Sequence, residues 1–186
     1  VSQPEKSLSF LTSIDEFTAA ACLKDLQDAN KHRQSIEEKI LREIVTDLKK
    51  GDPDERNSIV VYNEKWHVGV LGIVAQKLAE MFKKPAIVIT KVNDVWKGSG
   101  RGSGGMDLFE AITSLSPLLL KYGGHRSACG ISLKEENLVF FADAFEKSVK
   151  GNGAVVKKLE IAYDSGADFE ELTIELMDYI GQLSPF

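Results

Sequence analysis

Two short apolar runs, Ile59-Val60-Val61-Tyr62 and Ala86-Ile87-Val88-Ile89, bracket a stretch in which apolar residues recur at helical spacing. That stretch, 67–82, carries Val70, Ile73, Val74, Leu78 and Met81 along one stripe. Runs of four apolar residues are buried-strand material, and the second run is entered through Pro85. Asn93-Asp94 then predicts a hairpin turn into a third strand over 95–100. A helix is expected over 107–121, with Asp107 as its N-cap and Glu110 three residues on as the capping-box partner. A strand at 128–133 and a closing helix at 135–149 complete the unit. Strand and helix alternating, with one hairpin, predict an α/β fold: a mixed β-sheet flanked by helices.

Upstream, apolar residues at Phe17, Ala20, Leu23, Leu26, Ile36, Ile40, Ile44 and Leu48 predict one long helix over 14–49. Its middle, 27–34, is nearly all polar, which suits a bridge better than a packed face. Gly51-Asp52-Pro53-Asp54 stops it, and Gly151-Asn152-Gly153 marks a second boundary. The chain therefore divides into 1–57, 58–150 and 151–186, the last with a strand over 155–163 and a helix over 168–183. The chain starts at Val1 and runs out at Phe186 with no terminating feature, and it reads as a piece of a longer protein.

Composition narrows the partners. In 186 residues with 43% apolar content there is material for one ordinary core. A formal net charge of -5 excludes a general nucleic-acid coat. Yet Lys83, Lys84, Lys91, Lys97 and Arg101 gather against Asp94 alone, so an anion would be met locally, in a groove. Cys22 and Cys129 match no metal or redox spacing, which fits a reducing, cytoplasmic setting. No apolar stretch is long enough for a membrane span.

Candidate chemistry concentrates in two glycine-rich, cation-bearing segments, Lys97-Gly98-Ser99-Gly100-Arg101-Gly102-Ser103 and Tyr122-Gly123-Gly124-His125-Arg126. Glycines let a backbone approach a ligand closely, histidine can donate from either ring nitrogen, and arginine offers a bidentate fork to phosphate. A helix-ending glycine would explain Gly123 or Gly124 but not the His-Arg that follows. The spacing is not that of a nucleotide P-loop. Trp66, His67, Gly69 and Gly72 form a third cluster, equally readable as tight helix packing. Cys129, placed in an apolar strand, is a poor nucleophile, and His32 sits among solvated charges. No Asp-His-His run, HxD or paired-carboxylate cluster occurs, so no catalytic metal is expected on this chain alone.

Taken together, Trp66-His67-x-Gly69-Val70-x-Gly72-Ile73-Val74-Ala75, Pro85-Ala86-Ile87-Val88-Ile89, Ser99-Gly100-Arg101 and Gly123-Gly124-His125 resemble the DHH-associated domain of RecJ-type exonucleases. The order and spacing agree over roughly 58–149. By the same resemblance the long N-terminal helix is a connector to a catalytic DHH domain, and the C-terminal segment is a lead-in to an OB-type domain. The resemblance implies a phosphoesterase that degrades single-stranded DNA from the 5′ end. Manganese or magnesium would be held by the DHH domain and none by this chain, and DNA-repair proteins are the implied partners. Phosphate stabilisation would fall on Arg101 and His125, and strand binding on Ser99, Gly100, Arg101, Gly123, Gly124 and His125, with Trp66, His67 and Lys97 as further contacts. The pattern departs from the family at Val68, where proline is common, and at Gly102, where serine is. A small-nucleotide phosphodiesterase of the same superfamily, or a non-catalytic binding module, is the alternative.

Overall fold

The structure, a computed structural model, describes residues 4–51, 55–151, 166, 168 and 171–182. These fall into two units, Val1–Val156 and Lys157–Phe186.

The first unit opens with helix α1, Pro4–Thr12, packed on the long α2, Glu16–Leu48. Asp15 ends the link between them and caps α2, its carboxylate accepting from the Thr18 N–H at 2.8 Å. The expected single helix over 14–49 thus begins two residues later, behind a separate short one. The C-terminal half of α2 packs on the sheet unit, with Ile40 and Ile44 buried, and most of the polar middle stays exposed. Glu37, buried on the packed side of α2, is neutralised by Arg33 at 3.1 Å and by Lys77 at 2.5 Å.

Five strands form one mixed sheet in the order β1-β2-β3-β5-β4. β1, Ile59–Tyr62, runs parallel to β2, Ala86–Val92, through the crossover helix α3, Leu71–Phe82. β2 turns at Asn93, whose φ of 56° is the left-handed value such a turn needs, into the antiparallel β3, Val95–Arg101. Helix α4, Leu108–Ser114, follows, with Asp107 accepting from the Glu110 N–H at 3.0 Å. β4, Lys121–His125, and β5, Ala128–Leu133, make a second hairpin, and α5, Leu138–Gly151, closes the unit.

Alternation sorts the side chains into two cores. Ala86 and Val88 face α2 and α3; Ile87 and Ile89 face α4 and α5 with Phe141 and Phe145. Across the sheet from α3, Gly98 and Gly100 leave room for that second core. A Cβ at Gly98 would stand 2.8 Å from Ile131 Cγ1, and one at Gly100 2.6 Å from Cys129 Sγ. The start of β1 is tied to α5 by Glu146, which accepts from the Asn57 N–H at 2.9 Å and from the Ser58 hydroxyl at 2.5 Å. Burial pushes the Glu146 carboxyl up, but these bonds, the Asn57 amide and Lys150 outweigh it and hold it down at about 2.

The helix expected over 107–121 stops at Ser114, followed by a 3-10 turn, Ser116–Leu118, and then by β4. Pro117 has no N–H to continue the helical ladder and biases Ser116 away from helical geometry. The strand expected over 155–163 lies outside the described residues. In the second unit the helix expected over 168–183 is the shorter α6, Ile174–Gln182.

Candidate functional site

Both glycine-rich segments are strands rather than loops where it matters. Ser99, Gly100 and Arg101 end β3, and Gly123, Gly124 and His125 end β4. β5 lies between the two, and the register places Arg101 opposite Ala128 and Ala128 opposite His125. Cross-strand partners share a face, so Arg101 and His125 flank the small Ala128 in a single row, their Cα atoms about 10 Å apart at ordinary strand spacing. The next row on that face is Ser99–Gly130–Gly123, and the next Lys97–Ser132–Lys121. Helix α3 covers this face over β2 and β3 but not over β5 and β4. Among these nine positions Lys97, Arg101 and Lys121 are cationic and none is acidic, in a chain with more carboxylates than cations.

Each donor is set by its neighbours. Arg101 is half-buried, and its Nη1 donates to the Gly100 carbonyl at 2.9 Å. Gly72, in the first turn of α3, approaches so closely that a Cβ there would lie 3.2 Å from Arg101 Nη2 and 3.2 Å from Ser99 Oγ. No side chain caps the start of α3, whose first turn lies against Arg101 and Ser99 at Gly72. His125 is exposed, and its Nδ1 accepts from the Ser127 N–H at 3.3 Å. With Nδ1 accepting, Nε2 is the ring atom left to donate.

The two segments are laced together at their ends. Gly102 N–H donates to the Ser127 carbonyl at 2.9 Å, Leu108 N–H to the Arg126 carbonyl at 2.9 Å, and Arg126 Nη2 to the Gly105 carbonyl at 2.9 Å. Arg126 thus ties the 102–107 loop to the hairpin.

The glycines divide by role. Gly124 has φ of 148°, and a Cβ there would be 2.2 Å from the Ala128 carbonyl oxygen, so the hairpin itself requires glycine. Gly100 faces the buried core on the side away from the row. Gly123 and Gly130 have nothing within 4 Å of a built Cβ, so packing within the fold does not require either to be glycine. Trp66 and His67 serve the turn before α3. The Trp66 ring N–H donates to Glu43 at 3.4 Å, and His67 Nδ1 accepts from the Gly69 N–H at 3.1 Å. Trp66 is buried and unavailable for stacking. Burial pushes the Cys129 thiol up to about 11, which removes it as a nucleophile. Lys121, Gly130 and Ser132 escape motif reading, since only the register brings them beside Arg101 and His125.

Among the described residues no group of three or more His, Cys, Asp or Glu could hold a metal ion, so the residues here do not fit a divalent centre. None of the described helices is long and apolar enough to cross a membrane.

Residues 55–151 match the DHHA1 domain, and the chain belongs to that family. Within it the likeness is to proteins named single-stranded-DNA-specific exonuclease RecJ. The Bacillus subtilis protein is 30% identical over 100% of this chain, and the Thermus thermophilus protein 35% identical over 72%. The crystal structure of Thermus thermophilus RecJ in complex with Mg2+ superposes with a TM-score of 0.68 at 34% identity over 77% of this chain. A second, with Mn2+, gives 0.68 as well. The chain spans 24% and 19% of the length of the two relatives.

Proposed function

We propose that this chain is the substrate-gripping module of a metal-dependent exonuclease that hydrolyses single-stranded DNA, 5′ to 3′. The observation that carries the reading is the Arg101–Ala128–His125 row, two phosphate donors about 10 Å apart across a flat, small-residue floor. Arg101 holds a backbone phosphate in the ground state through its fork, aided by Ser99 and the start of α3. His125 donates its Nε2–H to an oxygen on which charge accumulates as the phosphodiester is attacked, an electrostatic contribution. Gly123 lets the strand lie close to the sheet. Lys97 extends the positive face.

Similarity to RecJ supports the substrate class, and the RecJ structures with Mg2+ and Mn2+ support manganese or magnesium as the metal of the whole enzyme. In this reading the metal is held outside this chain, and the roles of Arg101 and His125 do not pass through it. DNA repair and recombination, with partner proteins from those processes, follow from the same similarity, and the two free cysteines suit the cytoplasm. The absence of acidic residues from the face favours an extended nucleic-acid strand over a scaffold role.

The test is a pair of substitutions in the enzyme that contains this module. His125→Ala should slow single-turnover cleavage by roughly a hundredfold while strand affinity changes little, since the contact strengthens with developing charge. Arg101→Ala should damage both. Equal losses of affinity and rate in the two variants would refute the division of roles, and unchanged cleavage in both would refute the site.

A further inference from the structure

The third row of the open face enters the reading above only through the general charge of Lys97, with no phosphate assigned to it. Lys97, Ser132 and Lys121 stand side by side on β3, β5 and β4. Both lysines are exposed, and among the described residues neither has a carboxylate partner. Some lysines elsewhere are paired, Lys77 with Glu37, Lys91 with Glu135 and Lys150 with Glu146. Ser132 keeps the floor low between them, its hydroxyl turned to the Lys121 carbonyl at 3.4 Å. Two flexible ammonium groups about 10 Å apart at their roots can close on one anion set over Ser132.

The spacing to the first row says what the anion is. Ala128 and Ser132 are four residues apart along β5, about 13 Å. One internucleotide step is too short for that distance, and two steps of an extended strand fit it. The row between offers Ser99 beside two glycines with open space above them, so nothing blocks the middle nucleotide.

We propose that Lys97 and Lys121 form a second phosphate-contact site, two nucleotides along the strand from the Arg101–His125 row, so that the DNA backbone runs lengthwise over β5. The proposal rests on the single-strand reading above and deepens it: the module measures length, and its full grip needs three consecutive phosphates. A mononucleotide or dinucleotide engages the first row alone.

The test uses the full 186-residue chain and 5′-phosphorylated, dye-labelled oligothymidylates of two to six nucleotides in fluorescence anisotropy. Wild-type affinity should rise by about tenfold between the dinucleotide and the tetranucleotide. Lys97→Gln/Lys121→Gln should lose that rise, keep dinucleotide affinity, and flatten the dependence of log K on log salt by about 0.7 to 1.4. Lys31→Gln/Lys147→Gln, which removes the same charge from exposed positions off the face, should change neither. A rise with length that survives in the Lys97/Lys121 variant overturns the second site, as does an equal loss in the control pair. In those cases Arg101→Gln still weakening the dinucleotide leaves the exonuclease reading standing. No binding at any length by the wild-type chain would sink that reading, and the second site with it.

Discussion

Two adjacent glycines in β4 should respond to alanine in opposite ways. At Gly124 a methyl would sit 2.2 Å from the Ala128 carbonyl oxygen and 2.7 Å from Cys129 Cα, backbone atoms that cannot swing aside. Its φ of 148° adds strain of about 1–3 kcal/mol for an L side chain. Forcing the methyl against β5 adds a further ~1–3 kcal/mol of overpacking. β4 is an edge strand with all five residues exposed, so it can shift outward and relieve part of the sum. The expected net loss for Gly124→Ala is about 3 kcal/mol. Gly123→Ala meets open space at an unremarkable φ, and removing a flexible residue from a strand should be neutral or gain up to ~0.5 kcal/mol. Urea unfolding followed by the fluorescence of Trp66 and Trp96, both buried, reads the two variants directly. Oligonucleotide affinity should fall in both: in Gly124→Ala through displacement of His125, in Gly123→Ala through the methyl on the floor alone. A Gly123→Ala variant as destabilised as Gly124→Ala, or a Gly124→Ala variant of native stability, would refute the separation of a hairpin glycine from a contact glycine.

Other outcomes follow from buried ionisable groups. The Glu146 carboxyl is held at about 2 against an ordinary 4.5, so its stabilisation is complete above pH 4.5 and disappears as pH falls towards 2. That lowering corresponds to up to about 3 kcal/mol, and Glu146→Gln should abolish the acid-limb slope in urea titrations at stepped pH. Cys129, buried with its thiol raised to about 11, should resist iodoacetamide at pH 8 in the native chain while the partly exposed Cys22 is alkylated. Mass spectrometry of timed samples checks this, and prompt labelling of Cys129 would mean that β5 opens far more readily than its packing allows.

Apolar runs and helical spacing locate β1, α3 and β2 because each carries its burial pattern within its own residues, and the Asn93-Asp94 turn locates β3. β4 is different. Two of its five residues are glycine, every one is exposed, and its identity as a strand comes from pairing with β5. Helical spacing therefore runs through Leu115, Leu118 and Leu119 and hides the break that Pro117 imposes. The candidate site divides along the same line. Arg101 and His125 stand out as motif residues, but their placement in one row depends on β5, which follows both in sequence. Gly100 and Gly124 look like ligand-approach glycines and are occupied with packing and hairpin geometry. Lys121 reads as the end of a helix, and nothing local links it to Lys97, twenty-four residues away.

Strand β3 separates grip from stability by parity. Its even positions, Gly98 and Gly100, tolerate no added atom, whereas odd positions 97, 99 and 101 lie on the opposite face, where 99 and 101 meet the first turn of α3 and 97 is exposed. In the proposed reading, affinity can therefore be tuned at 97 without touching the core one residue away, whereas 99 and 101 also answer to Gly72 of α3. A library randomised at 97, 121 and 132 would sample loose and tight holders of the same fold. The same parity makes a single-residue insertion in β3 doubly damaging, since it would carry cations into the core and glycines out to the strand.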